Sequence, residues 1–151
     1  MEQLRFTCPG LEDGGRFPIR YTGRGEDRSP EILLESLDPL ARTLAVTLED
    51  LSHPIKGFTH WVLWNFPASE QIPGGLPKGG RLENGACQGI AYGLHRYAGP
   101  KPPPLTSHRY RLTVYALDCA LDLKPGVRKR RVLKAIEGHI LQKGFLTARF
   151  P

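Results

Sequence analysis

Residues 99–118 read Gly99-Pro100-Lys101-Pro102-Pro103-Pro104-Leu105-Thr106-Ser107-His108-Arg109-Tyr110-Arg111-Leu112-Thr113-Val114-Tyr115-Ala116-Leu117-Asp118. The prolines of the first half each fix φ and remove a backbone donor, so that half is neither helix nor central strand but a stiff loop. The second half alternates with the two-residue period of a strand. His108, Tyr110, Leu112, Val114 and Ala116 fall on one face, and Arg109, Arg111, Thr113, Tyr115 and Leu117 on the other. His108 and Tyr110 thus share the aliphatic face, at the end nearest the rigid loop. An imidazole and a phenol there, beside amides that the prolines leave partly unpaired, predict a small polar pocket in an apolar wall.

Outward from this stretch, Thr43 to Asp50 alternates as a second strand, with Leu44, Val46, Leu48 and Asp50 on one face. A carboxylate aimed inward at a strand end is costly unless paired, so Asp50 calls for donors nearby. Thr59 to Phe66 is apolar on both faces, His60-Val62-Trp64 and Trp61-Leu63-Phe66, as in a strand inside a sandwich. Leu4 to Thr7 predicts an edge strand, and Ile19 to Thr22 and Ile32 to Leu37 two more, with turns at Asp13-Gly14-Gly15 and Asp38-Pro39. Pro67 to Gly93 is a long glycine-rich segment, of a length that in a compact domain points to function or to ordering by side chains. After the Lys124-Pro125-Gly126 turn, the spacing of Val132, Leu133, Ile136, Ile140 and Leu141 predicts a helix over 127–143. Gly144 would stop it, and Phe145 to Phe150 would return as a strand.

A chain of 151 residues is one domain's worth, and a single domain over 1–151 is expected. Its 17 glycines and 14 prolines suit many short strands joined by turns. The expected class is mainly β, an antiparallel β-sandwich with a C-terminal α-helix. No stretch approaches the length of a transmembrane helix, and Met1 to Thr7 lacks the apolar run of a leader, so a soluble, cytoplasmic protein is expected. Cys8, Cys87 and Cys119 are odd in number, far apart and outside any C-x-x-C pattern, which predicts free thiols. The net charge of +6 is concentrated in Arg128-Lys129-Arg130-Arg131 and Lys134. It reads most simply as a solvated helix face, and nucleic-acid binding is not expected.

Catalytic and metal chemistry find little support. No histidine or cysteine pair has zinc-ligand spacing, so neither metal nor cofactor is expected. Ser107 and His108 are strand neighbours and point to opposite faces, which argues against a nucleophile and its base. His53 and His95 belong to loops facing solvent, His139 to the packed side of the helix, and Trp61 and Trp64 to the core.

Taken together, Thr59-His60-Trp61-Val62-Leu63-Trp64-Asn65-Phe66-Pro67, Tyr97-Ala98-Gly99-Pro100-Lys101-Pro102-Pro103, and His108-Arg109-Tyr110 followed by Val114-Tyr115-Ala116-Leu117-Asp118 resemble the phosphatidylethanolamine-binding protein family. The bacterial, Raf-kinase-inhibitor-like branch is nearest in length. Asp13-Gly14-Gly15, Pro18, Tyr21-Thr22 and Ser29-Pro30 resemble its N-terminal signature, and Gly138-His139-Ile140-Leu141 its C-terminal helix. The resemblance implies a β-sandwich with a shallow anion pocket too small for acyl chains. It places Asp50 on the first aspartate of a D-P-D-A-P loop, His60 on the histidine of H-W, His108 and Tyr110 on those of H-R-Y, and Gly99 and Pro100 on the G-P-x-P-P wall. The D-P-D-A-P loop reads here Asp50-Leu51-Ser52-His53-Pro54, with the His53–Pro54 bond a candidate for cis. Gly89-Ile90-Ala91-Tyr92-Gly93 lacks the Asn-Asp pair of the bacterial branch, and Lys101, Leu34 and Phe150 replace a cysteine, a tryptophan and a tyrosine.

The function expected is a non-catalytic binding protein for phosphate-like or phosphorylated headgroup ligands, without stable membrane association. A nearby Asp50 would raise a histidine pKa, so anion affinity should rise as pH falls from about 8 to 6. The alternative is a protein-interaction or kinase-regulatory module acting through its surface. Bacterial relatives include homodimers, and the resemblance leaves that state open.

Overall fold

The computed structural model describes residues 1–91 and 97–151. Its strands are β1 (Glu2–Gln3), β2 (Arg5–Thr7), β3 (Gly15–Arg16), β4 (Ile32–Glu35), β5 (Thr43–Asp50), β6 (Phe58–Pro67), β7 (Gln71–Ile72), β8 (Cys87–Gln88), β9 (His108–Leu117) and β10 (Ile140–Phe150). One helix, α1 (Lys129–Ala135), precedes β10. The larger sheet runs β1-β10-β9-β5-β6-β8, with β3 also on β10, and the smaller runs β2-β4-β7. Pairing is antiparallel except that β1 and β3 run parallel to β10.

The alternation of β5 and β9 sets the layers. Leu44, Val46, Leu48, Tyr110, Leu112, Val114 and Ala116 face one way and pack against Phe6, Ile32, Leu34 and Ile72 of the smaller sheet. Each fully buried aliphatic side chain here is worth about 1.5–3 kcal/mol over its exposed state. Ala45, Tyr115 and Leu117 face the other way, with Val62 and Trp64 of β6, and are covered by Val132 and Ile136. Both faces of the central strands are therefore buried, as the continuous apolar run of β6 predicts. Both tryptophans are fully buried, and Cys8, Cys87 and Cys119 are all free.

The helix is shorter than its apolar spacing suggests. It ends at Ala135 with Ile136 as C-cap, and Gly138 at φ +81° turns the chain out of the helical path. Ile140 and Leu141 carry the apolar pattern onward as strand, so Gly138-His139-Ile140-Leu141 is not helical, and Gly144 sits within β10 opposite Val114 rather than ending a helix. Ile19–Tyr21 is a 3₁₀ turn and not a strand, closed by Thr22, whose amide and Oγ1 both donate to Ile19 O at 3.0 and 2.8 Å. β4 stops at Glu35, before Ser36 at φ +53°. The segment 67–91 is tied down by β7, β8 and the Gln88 side chain, whose amide donates to Pro77 O and Gly79 O, both at 2.9 Å. The cis X–Pro bond among the described residues is Phe150–Pro151, so His53–Pro54 is trans. No helix among the described residues is long and apolar enough to cross a membrane.

Candidate functional site

β5 and β9 are in register with Asp50 opposite Tyr110, which brings the carboxylate to the end of β9 that carries His108. His108 Nδ1 lies 2.6 Å from Asp50 Oδ2, while Asp50 Oδ1 accepts from Ser52 N at 2.8 Å. The buried carboxylate, 4 % exposed, thus finds the donors its position demands. Two more bonds hold the post-β5 loop against β9, from Leu51 N to Arg109 O at 2.7 Å and from Arg109 N to Ser52 Oγ at 2.9 Å.

His60 reaches the same place through an irregularity. Trp61 pairs with Leu48 and Thr59 with Glu49, leaving His60 as the extra residue of a β-bulge. Strict alternation would group His60 with Val62 and Trp64, which face the helix; the bulge turns it to Tyr110 instead. The two rings meet edge to face at 5.3 Å between centroids, with Phe58 against His60 at 5.5 Å. His60 Nδ1 lies 2.6 Å from Ala98 O, an atom that only accepts, so Nδ1 carries the proton. Ala98 N returns a bond to His60 O at 2.9 Å.

Burial lowers the His60 pKa below the ordinary histidine value, outweighing the raising effects of the Ala98 hydrogen bond and of Asp50. The unfolded chain takes up a proton near pH 6.5, where folded His60 still resists it. Its contribution to stability is therefore present above that pH and is lost as pH falls towards and through the lowered value. Thermal melts are expected to show the wild type losing stability from pH 7.5 to 5.5, and His60→Gln losing less over the same interval. Equal losses would show that His60 titrates alike in both states.

The wall of the site is the loop before β9. Gly99 N donates to Asp27 Oδ1 at 2.7 Å, Gly23 N to Pro100 O at 2.9 Å, Tyr97 OH to Tyr21 O at 2.5 Å and Arg24 Nη2 to Pro102 O at 2.7 Å. Gly99 and Pro100 are buried against the 20–27 segment. His108 stacks near Tyr110 at 6.3 Å, and its side chain is 15 % exposed, where those of His60 and Tyr110 are almost wholly buried. Asp50, His60, His108 and Tyr110 converge at this end of the larger sheet, while Gly99 and Pro100 follow Ala98, which holds His60, and bond to Asp27 and Gly23. Asp27, Ala98 and Phe58 support the site without having been singled out from the sequence, since no local pattern marks a residue that acts through a backbone carbonyl or a distant loop.

Other expectations need correction. His53 is half-buried, its ring stacked on Phe58 at 4.0 Å and its Nδ1 accepting from Ile55 N at 3.0 Å. His139 is exposed beyond the helix and not packed on it. In the basic run, Arg128, Arg130 and Arg131 are exposed, but Lys129 is buried and donates to Glu49 Oε2 at 2.6 Å and Gly57 O at 2.8 Å. Arg128, Lys129, Arg130 and Lys134 line one side of a groove of about 890 Å³ between α1 and residues 55–59, of which Phe58 also stands opposite Asp50. Tyr92, Gly93 and His95 lie outside the described residues.

The family pattern for phosphatidylethanolamine-binding protein matches residues 8–151. A UPF0098 protein of Methanothermobacter thermautotrophicus is 44 % identical over 133 residues, covering 87 % of each chain. One of Pyrococcus abyssi is 39 % identical over 137 residues, 88 % of this chain and 77 % of its own. Among solved structures, the phosphatidylethanolamine-binding protein homologue CT736 of Chlamydia trachomatis superposes with a TM-score of 0.86 at 26 % identity, covering 100 % of this chain and 99 % of its own. E. coli YbcL, described as a member of the mammalian family, shares the fold with a TM-score of 0.84 at 21 % identity, over 98 % of each chain. With the pattern spanning nearly its whole length, the chain belongs to the phosphatidylethanolamine-binding protein family.

Proposed function

We propose that this chain is a non-catalytic binding protein that holds a small phosphate-like or phosphorylated headgroup against His108, Tyr110 and the Gly99–Pro100 wall. The observation that carries the reading is the 2.6 Å contact of His108 Nδ1 with buried Asp50, beside the His60–Tyr110 ring pair. Asp50 accepts at Nδ1, which orients the ring and leaves Nε2 as its other hydrogen-bonding atom. The Tyr110 ring stands close by, at 6.3 Å between centroids, and a charge-assisted hydrogen bond from a protonated imidazole suits an anion. The limited exposure of His108 favours a headgroup-sized ligand over one bearing acyl chains, and hence no stable hold on a bilayer. No residue in this reading acts as nucleophile or base on a bound group. A cytoplasmic setting accords with three unpaired thiols.

Titration calorimetry with inorganic phosphate and with phosphoethanolamine is expected to show binding of one or both by the wild type. His108→Ala should weaken it about 10–100-fold, the equivalent of one hydrogen bond to a charged group. Failure of the wild type to bind either anion, or an unchanged affinity in His108→Ala, would overturn the reading.

A further inference from the structure

The chain leaves the larger sheet at Leu117, makes an excursion that carries α1, and re-enters at Ile140 directly opposite Leu117. The base of this excursion brings Asp118 and Cys119 beside His139. One ligand atom from each, a carboxylate oxygen, a thiol sulfur and an imidazole nitrogen, lies within 4.8 Å of the other two. Their separation of twenty residues fits no short metal motif, so only the pairing of β9 with β10 reveals the group.

We propose that Asp118, Cys119 and His139 bind one divalent cation of the zinc type, which closes the base of the helical excursion. The donors themselves select the class. Thiolate and imidazole with one carboxylate suit zinc and its neighbours, whereas magnesium and calcium require oxygen ligands throughout. Zinc bond lengths of about 2.0–2.3 Å in a tetrahedron put ligand atoms about 3.3–3.7 Å apart. The observed spread closes to this by side-chain rotation, and all three residues have the exposure to rotate. Three protein ligands leave a fourth position for water.

The backbone beneath the cluster is already fixed. Asp118 N donates to His139 O at 3.0 Å, Thr43 Oγ1 to Cys119 O at 2.6 Å, and His139 N to Ile136 O at 2.9 Å. Asn65 clamps Leu121 through both its polar atoms, accepting from Leu121 N at 2.7 Å and donating to Leu121 O at 2.8 Å. A cation therefore meets ligands whose main chain need not be ordered, which removes a cost that surface clusters usually carry. His139 Nδ1 lies 2.9 Å from Asp118 Oδ1, so two of the three donors already meet. Binding releases the thiol proton to solvent and forms the metal–sulfur bond, so charge and atoms balance without any oxidant.

The test uses the full chain, stripped with chelator and kept reduced, titrated with cobalt(II) as an optical probe for zinc(II). Wild type is expected to develop the near-ultraviolet charge-transfer band of a cobalt–thiolate bond, reversed by one equivalent of zinc(II). Cys119→Ser should lose the band, and His139→Gln should weaken cobalt(II) binding at least about tenfold. Zinc(II) should raise the melting temperature of the wild type and not that of His139→Gln. Absence of the band in the wild type, or a band of equal strength in Cys119→Ser, overturns the proposal, the latter by placing the metal on buried Cys8 or Cys87. Both substitutions lie at partly or fully exposed positions, and circular dichroism confirms that each variant has folded before it is titrated.

Discussion

Gly99→Ala is expected to unseat the proline-rich wall, cost about 1–3 kcal/mol or more of stability, and abolish the anion binding proposed above. A Cβ at this position would lie 2.0 Å from Tyr21 O, and 2.9 Å from both Thr22 Cα and Asp27 Oδ1. Two of these are main-chain atoms that cannot swing aside. Tyr21 O is already the acceptor for Tyr97 OH, and Thr22 is bound back to Ile19. The methyl would therefore push the loop outward, break the Gly99 N–Asp27 Oδ1 bond and shift Ala98, whose carbonyl fixes the His60 ring. Urea unfolding measures the first effect and phosphate calorimetry the second. Gly79→Ala is the control, because nothing lies within 4 Å of its Cβ, and it should stay within about 0.5 kcal/mol of wild type. A Gly99→Ala midpoint as high as that control's would mean the loop is not seated on residues 21–27.

That close approach explains why a glycine stands at the head of the wall, a reason the linear sequence does not display. What was legible is what a two-residue period encodes. β5 and β9 follow their alternation to the residue at both ends, and with them the placement of Asp50, His108 and Tyr110 on one face. Where one physical signal served two structures, the reading failed. Ile140 and Leu141 continue the helical spacing of Val132 and Ile136, yet Gly138 takes them into β10, because half-buried aliphatic positions satisfy either period over so short a span. Ile19 to Thr22 has β-branched residues at both ends, but the Thr22 hydroxyl prefers its local acceptor, Ile19 O. His60 is the instructive case. Alternation puts it on the face of Val62 and Trp64, and only the bulge against Glu49 and Leu48 brings it to Tyr110. A bulge is a property of two strands together, and neither sequence alone announces it. The Asp118–Cys119–His139 group was hidden for the same reason, since its spacing is set by strand register and not by chain distance.

Trp61→Ala is expected to cost about 3–5 kcal/mol, a large part of the 5–15 kcal/mol typical of a whole domain. Trp61 is fully buried opposite Leu48, one residue beyond the bulge, and stands edge to face with Tyr97 at 5.4 Å. Its indole Nε1 donates to Gln88 Oε1 at 2.8 Å, and the Gln88 amide in turn holds Pro77 O and Gly79 O. Truncation leaves a cavity between the bulge and the Tyr97 wall and an unpaired buried amide oxygen on Gln88. Trp61→Phe separates the two effects. It keeps a ring against Tyr97 but removes the donor, and should cost about 1–3 kcal/mol. Because Gln88 links this bond to the glycine-rich segment, both variants should speed amide hydrogen exchange at Leu82 and Gln88, whose N–H groups donate to Ala86 O and Gly80 O, both at 2.8 Å. Leu63→Ala, at an equally buried site without such a bond, should lower global stability while leaving that segment's exchange close to the global opening rate. Identical exchange at Leu82 and Gln88 in Trp61→Phe and wild type would show that the indole fills space only, and that the segment is held by β8 pairing and the Gln88 amide without help from Trp61.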